Sequence, residues 1–136
     1  MVRLILSGSG EGKTKQLIEI MESAAENEVG CMVCIEPKRN ISFNLRHQTR
    51  LIDASEFDID SFDTLRGFIC GLYAGNYDIS HIFVDDLCKV AHSRDEKGID
   101  QYLNWLESFT TPLNLKATIT VSADPEAATE TMRKYM

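Results

Sequence analysis

Apolar and polar positions alternate along this chain with two different periods. Residues 3–6 ("RLIL") form a short apolar run that stops at a cluster of glycines. From Lys13 the apolar positions are Leu17, Ile18, Met21, Ala24 and Ala25, which share one helical face, and Gly30 lies just past its end. "CMVCI" (31–35) is a second apolar run. It carries no polar alternation, as a strand buried on both faces requires. In 40–47 ("NISFNLRH") Ile41, Phe43 and Leu45 alternate with polar residues, a period of two that predicts an additional edge strand with one wet face. "RLIDA" (50–54) is a further short strand. Asp60 or Ser61 can cap a helix whose stripe is Phe62, Leu65, Phe68, Ile69 and Leu72, closed by "AGN" at 74–76.

"HIFVDDL" (81–87) is a third buried run, and it ends abruptly in two carboxylates. One or two helical turns through Leu87, Val90 and Ala91 follow. A polar loop is expected at 92–98, then a helix with Ile99, Tyr102, Leu103, Leu106 and Phe109 on one face. "KATITV" (116–121) is a β-branched strand. Asp124 and Pro125 supply an N-cap and first position for a last helix running to about Tyr135. Strands alternating with helices predict an α/β three-layer sandwich around a mainly parallel sheet of about five strands. No repeat or linker interrupts residues 1–136, which read as one domain of ordinary size.

Composition narrows the function. The chain is 43% apolar and 26% charged, with net charge −7. An acidic surface repels phosphate backbones, which argues against nucleic acid as the partner. No apolar run approaches the ~18 residues of a membrane span, and the opening run is too short for a signal-peptide core; a cytoplasmic location is expected. The basic residues are unevenly placed. Residues 36–50 hold Lys38, Arg39, Arg46 and Arg50 against Glu36 alone, a local +3 that leaves −10 elsewhere. Two readings stay open: edge protection, or a surface that contacts a protein partner or a second copy. Cys31 and Cys34 have C-x-x-C spacing, but residues three apart on a strand point to opposite faces and cannot share one zinc ion. They read as buried thiols.

Three of the eight glycines, Gly8, Gly10 and Gly12, lie between the first strand and the first helix, followed by Lys13 and Thr14. A strand feeding a helix through such a turn presents backbone N–H groups and a helix N-terminus, which together attract an anion. A plain glycine turn with a surface lysine is the bland alternative. The run Ser7-Gly8-Ser9-Gly10-Glu11-Gly12-Lys13-Thr14 resembles the phosphate-binding loop of the P-loop NTPase superfamily, G-x-x-x-x-G-K-[ST], with Ser7 in place of the first glycine. The strand ending at Asp85 resembles the superfamily's second motif.

The resemblance implies the P-loop NTPase fold, ATP and Mg²⁺ as cofactors, and a set of roles. Lys13 and the backbone of Gly8, Ser9, Gly10, Glu11, Gly12 and Thr14 would hold phosphates. Thr14 and Asp85 would hold the metal, and Ser122 would sense the γ-phosphate. Asp86 falls where many members carry a water-polarising glutamate; a helix N-cap at Leu87 is the other reading of Asp86. Asp124 is explained as a cap before Pro125. No N-K-x-D motif for guanine is present, and no arginine finger is assignable. The implied function is Mg-dependent ATP binding with weak or partner-activated hydrolysis. The alternatives are a nucleotide-gated binding module without hydrolysis and a small-molecule kinase.

Overall fold

The computed structural model describes residues 1–8, 13–39 and 49–136, and only the backbone of residues 13 and 14. The element order is β1 (Val2–Ser7), α1 (Lys13–Asn27), β2 (Cys31–Glu36), β3 (Thr49–Asp53), α2 (Phe62–Gly75), β4 (Ile79–Val84), α3 (Leu87–Ala91), α4 (Glu96–Thr110), β5 (Lys116–Ser122) and α5 (Glu130–Tyr135). The strands form one sheet in the order β1-β5-β4-β2-β3, and every pairing is parallel. All five strands therefore end on one side of the molecule. The edge strand expected at 40–47 lies outside the described residues.

Both faces of the sheet are covered, which explains the unbroken apolar runs. On β2, Met32 and Cys34 face α1 and pack with Leu17, Met21 and Phe83. Val33 and Ile35 face the other way, into a larger core with Leu65 and Ile69 of α2, Leu103 and Leu106 of α4 and Met132 of α5. The result is a three-layer α/β sandwich. Leu17, Leu65, Leu103 and Leu106 are fully enclosed, and each contributes roughly 1.5–3 kcal/mol by leaving water. Among the described residues no helix is long and apolar enough to cross a membrane.

Element boundaries follow local chemistry. Ser61 caps α2: its hydroxyl accepts from the Thr64 amide at 3.0 Å, while the Thr64 hydroxyl accepts from the Ser61 amide at 2.9 Å. Two expectations need correction. The polar loop at 92–98 is shorter than its composition implies, because Asp95 caps α4 and the helix is under way at Glu96. The last helix is also not continuous from Asp124. Asp124 and Pro125 start only a 3₁₀ turn, Pro125–Ala127. Ala128 is then extended and buried, and Thr129 caps a second start, α5, accepting from the Met132 amide at 3.0 Å. The Thr129 hydroxyl also donates to Asp100 at 2.7 Å, tying this break to α4.

Candidate functional site

The site is assembled at the carboxyl ends of the strands. β1 ends at Ser7 and α1 begins at Lys13, so α1 opens at the same edge of the sheet. Ser9, Gly10, Glu11 and Gly12 lie outside the described residues, as do the side chains of Lys13 and Thr14. Two features of the loop entrance are visible. The Ser7 hydroxyl is buried without a hydrogen-bond partner among the described residues, an arrangement that costs free energy unless something else supplies the partner. A Cβ built on Gly8 would meet no described atom within 4 Å. Among the described residues, then, no packing contact demands glycine there. The first turn of α1 holds no acidic residue, so no carboxylate of its own offsets the positive end of the helix dipole.

Opposite this entrance stand carboxylates. β5 lies between β1 and β4, with Ser7 in register with Ser122 and Val84 in register with Ile119. Asp85 follows Val84 and is 5% exposed. Its amide donates to the Ile35 carbonyl at 2.9 Å, and its Oδ1 accepts from the Thr120 hydroxyl at 3.4 Å. That hydroxyl in turn accepts from the Asp86 amide at 2.8 Å. Thr120 thus fixes both carboxylate residues from the neighbouring strand.

Asp86 is the N-cap of α3. Its carboxylate accepts from the Lys89 amide at 3.4 Å and from the Ser122 hydroxyl at 3.4 Å, and the Lys89 ammonium is 3.7 Å away. Its backbone is left-handed, with φ 61°, a conformation that aspartate tolerates better than most residues. The cap reading of Asp86 is therefore realised in the structure, and so is that of Asp124. Ser122 sits half-buried at the end of β5, with its carbonyl 3.5 Å from the Arg94 guanidinium.

One residue was not singled out from sequence. Glu36 ends β2, directly beside Asp85 across the ladder, and is 1% exposed. Sequence reading counts it only as a countercharge in the basic segment. The signal was available: "CMVCIE" is an apolar run stopped by a carboxylate, just as "HIFVDD" is. The two carboxylates share a neighbourhood. The Cys34 thiol, beneath them on β2, is pushed well above its usual range by burial and then by the charges of Asp85 and Glu36. Cys31, three residues earlier on the same strand, is exposed while Cys34 is buried.

The structure thus brings Ser7, Gly8, Glu36, Asp85, Asp86 and Ser122 to one end of one sheet. Arg39 and Arg50, of the basic segment, lie in the exposed region around β3; the Arg39 amide donates to Asp53 at 3.2 Å. Arg46 lies outside the described residues.

A parallel sheet with β5 between β1 and β4, covered by helices on both faces, defines the class of fold: a three-layer α/β sandwich, the architecture the P-loop NTPase resemblance leads one to expect. No family model matches the chain, and no curated protein matches it in sequence. Among solved structures 118 chains match. One of them is a KaiC-like protein from the hyperthermophilic archaeon Pyrococcus horikoshii. It is 15% identical, with a TM-score of 0.65, and the match covers 98% of this chain and 68% of that one. At that identity the likeness is one of fold.

Proposed function

We propose that this chain binds ATP with Mg²⁺ at the strand ends and hydrolyses it slowly, with a partner completing the site. The observation that carries the reading is the placement of Ser7 and Asp85 at the ends of the two strands that flank β5, on the side where α1 opens. The residues fit the ligands. A Gly8 with no described atom beside its Cβ position, and a Ser7 hydroxyl without a partner among the described residues, suit a phosphate-binding entrance. Hard oxygen donors such as the Asp85 carboxylate and the Thr14 hydroxyl suit a magnesium ion.

Lys13 and the amides of residues 8–14 would hold and orient the phosphates, and Thr14 and Asp85 would hold the metal. When bound, Mg²⁺ supplies neutralisation of phosphate charge. Ser122, in register with Ser7, would sense the γ-phosphate. Asp86 would orient the attacking water, and Glu36, buried beside Asp85 at the end of β2, is a second carboxylate placed to accept its proton. No arginine is assigned to the transferring phosphoryl group, so turnover by the chain alone is slow.

The occupied carboxylate of Asp86 also favours a second reading, a nucleotide-gated binding module without hydrolysis. A single-turnover assay with γ-labelled ATP and excess protein separates the two. Label released as inorganic phosphate supports hydrolysis. Label recovered as intact ATP bound to protein supports the gated module. Transfer of label to an added acceptor would replace both by a kinase.

A further inference from the structure

β5 carries hydroxyls where a strand buried on both faces would ordinarily carry methyl groups. Thr118, Thr120 and Ser122 alternate along it and share one face, while Ala117, Ile119 and Val121 take the other. Thr118 is 3% exposed and Thr120 is fully buried. Valine has the same branched shape and buries no hydroxyl, so a threonine enclosed this deeply needs partners for its oxygen. Each of the three hydroxyls finds one on β4 or in the turn after it. Thr118 meets His81 Nε2 at 2.8 Å, and Ser122 donates to Asp86 at 3.4 Å. Thr120 lies between them. It stands one step beyond the registered pair Val84 and Ile119, and therefore opposite Asp85.

The two bonds of the Thr120 hydroxyl have a fixed direction. The Asp86 amide can only donate, so at 2.8 Å it takes the oxygen as acceptor. The hydroxyl has one proton to give, and it goes to Asp85 Oδ1, 3.4 Å away. The amide thus aims the hydroxyl, and the hydroxyl aims the carboxylate. The main chain of Asp85 is anchored separately, by the bond from its amide to the Ile35 carbonyl at 2.9 Å. Asp85 is held through its backbone by β2 and through its carboxylate by β5.

We infer that Thr120 is a positioning residue for the metal site. Its hydroxyl fixes the rotation of the Asp85 carboxylate, and so the edge that Asp85 presents to magnesium. The inference rests on the nucleotide reading and adds to it a residue that touches neither nucleotide nor metal. Magnesium demands near-ideal octahedral geometry, so it is sensitive to the rotation of a ligand. Phosphate binding by the loop between β1 and α1 uses neither of the Thr120 bonds. Thr120 therefore acts on the metal-dependent part of binding.

Calorimetry with the β,γ-imido analogue of ATP, in EDTA and in excess Mg²⁺, reads that part as the ratio of the two Kd values. Thr120→Ser keeps the hydroxyl and should give the wild-type ratio. Thr120→Val should leave the Kd in EDTA unchanged and reduce the ratio about tenfold or more, the usual effect of removing a bond that orients a metal ligand. In an Asp85→Asn background Thr120→Val should reduce the ratio no further, since Thr120 acts through Asp85. If Thr120→Val melts below the titration temperature, Thr120→Cys replaces it; the thiol is a weak donor of similar size, and the ratio should fall again. A wild-type ratio in the variant that is titrated, with only its melting temperature lowered, makes Thr120 a structural residue and overturns the inference. So does an equal loss in Thr120→Ser, or a further loss in the Asp85→Asn background. A wild-type chain that does not bind the analogue, or binds it without a response to magnesium, fails earlier: it removes the nucleotide reading and the inference with it.

Discussion

The Asp85 amide donates to the Ile35 carbonyl at 2.9 Å. This one bond, continuing the parallel ladder past the end of β4, holds Asp85 next to Glu36 and makes two strand ends into one acidic wall. The proposed function gives the three carboxylates separable roles. Glu36→Gln is expected to retain nucleotide binding and to lower turnover at least tenfold, the scale of lost general-base assistance. Turnover by Glu36→Gln equal to wild type would remove Glu36 from the chemistry.

Asp86 answers to a different readout. Asp86→Ala removes the cap of α3 and is expected to cost about 1 kcal/mol, lowering the melting temperature by about 3–5 °C. Asp86→Asn keeps a capping oxygen and tolerates the left-handed backbone, so its melting temperature should stay near wild type. Calorimetric melts of both variants check this. If Asp86→Asn melts normally yet loses turnover, Asp86 acts on water in addition to capping.

A pH effect arises at the far end of the sheet. His81 is buried, stacked on Phe83 at 4.0 Å, with its Nε2 2.8 Å from the Thr118 hydroxyl. Burial pulls its pKa down to about 4, against the opposing pull of the Glu28 carboxylate 3.6 Å from Nδ1. The unfolded chain, with an ordinary value near 6.5, therefore takes up the proton first as pH falls. Stability from this residue is complete above pH 6.5 and is lost progressively toward pH 4, by about 3 kcal/mol. Glu28 adds loss in the same direction at lower pH. Burial works against its charged form, but hydrogen bonding and charge from Lys116, 2.8 Å away, hold its carboxyl below the usual value. Urea melts from pH 7 to 4 should show the decline, and His81→Gln should flatten it; an equal slope in the variant contradicts the assignment.

Thiol chemistry reads out the acidic wall. Cys31 is exposed and should react quickly with a disulfide reagent. Cys34, buried beneath Asp85 and Glu36, should react only on unfolding. Prompt modification of Cys34 in the native chain would mean the wall is not built as described.

Gly30 is constrained by close approach. A Cβ there would sit 2.3 Å from the Asp78 carbonyl oxygen, the same atom that accepts from the Cys31 amide at 2.8 Å. Gly30→Ala is expected to destabilise by about 1–3 kcal/mol through overpacking, measured as a lowered urea midpoint. An unchanged midpoint would show that the turn before β2 can shift.

Much of this was legible in the chain because period and punctuation agreed. "RLIL", "CMVCI" and "HIFV" lack polar alternation, and each became a strand covered on both faces. Ser61 announced α2, and Asp85 announced the end of β4. What was missed has physical reasons. Glu36 lies in a basic stretch, so its charge read as balance, and only the β2–β4 ladder reveals its neighbour. The break at Ala128 and Thr129 depends on the contact between Thr129 and Asp100, 29 residues away in sequence, which no local pattern carries.

The central claim is that Mg-ATP binds where β1 turns into α1. Titration calorimetry of the wild-type chain and Lys13→Ala, with and without Mg²⁺, tests it most directly. The account expects saturable, Mg-dependent binding by the wild type. It also expects a loss of about tenfold or more in Lys13→Ala, because a charge-assisted contact worth about 1.5–3 kcal/mol is removed. No heat of binding in the wild type, or equal affinity in the two proteins, would contradict it.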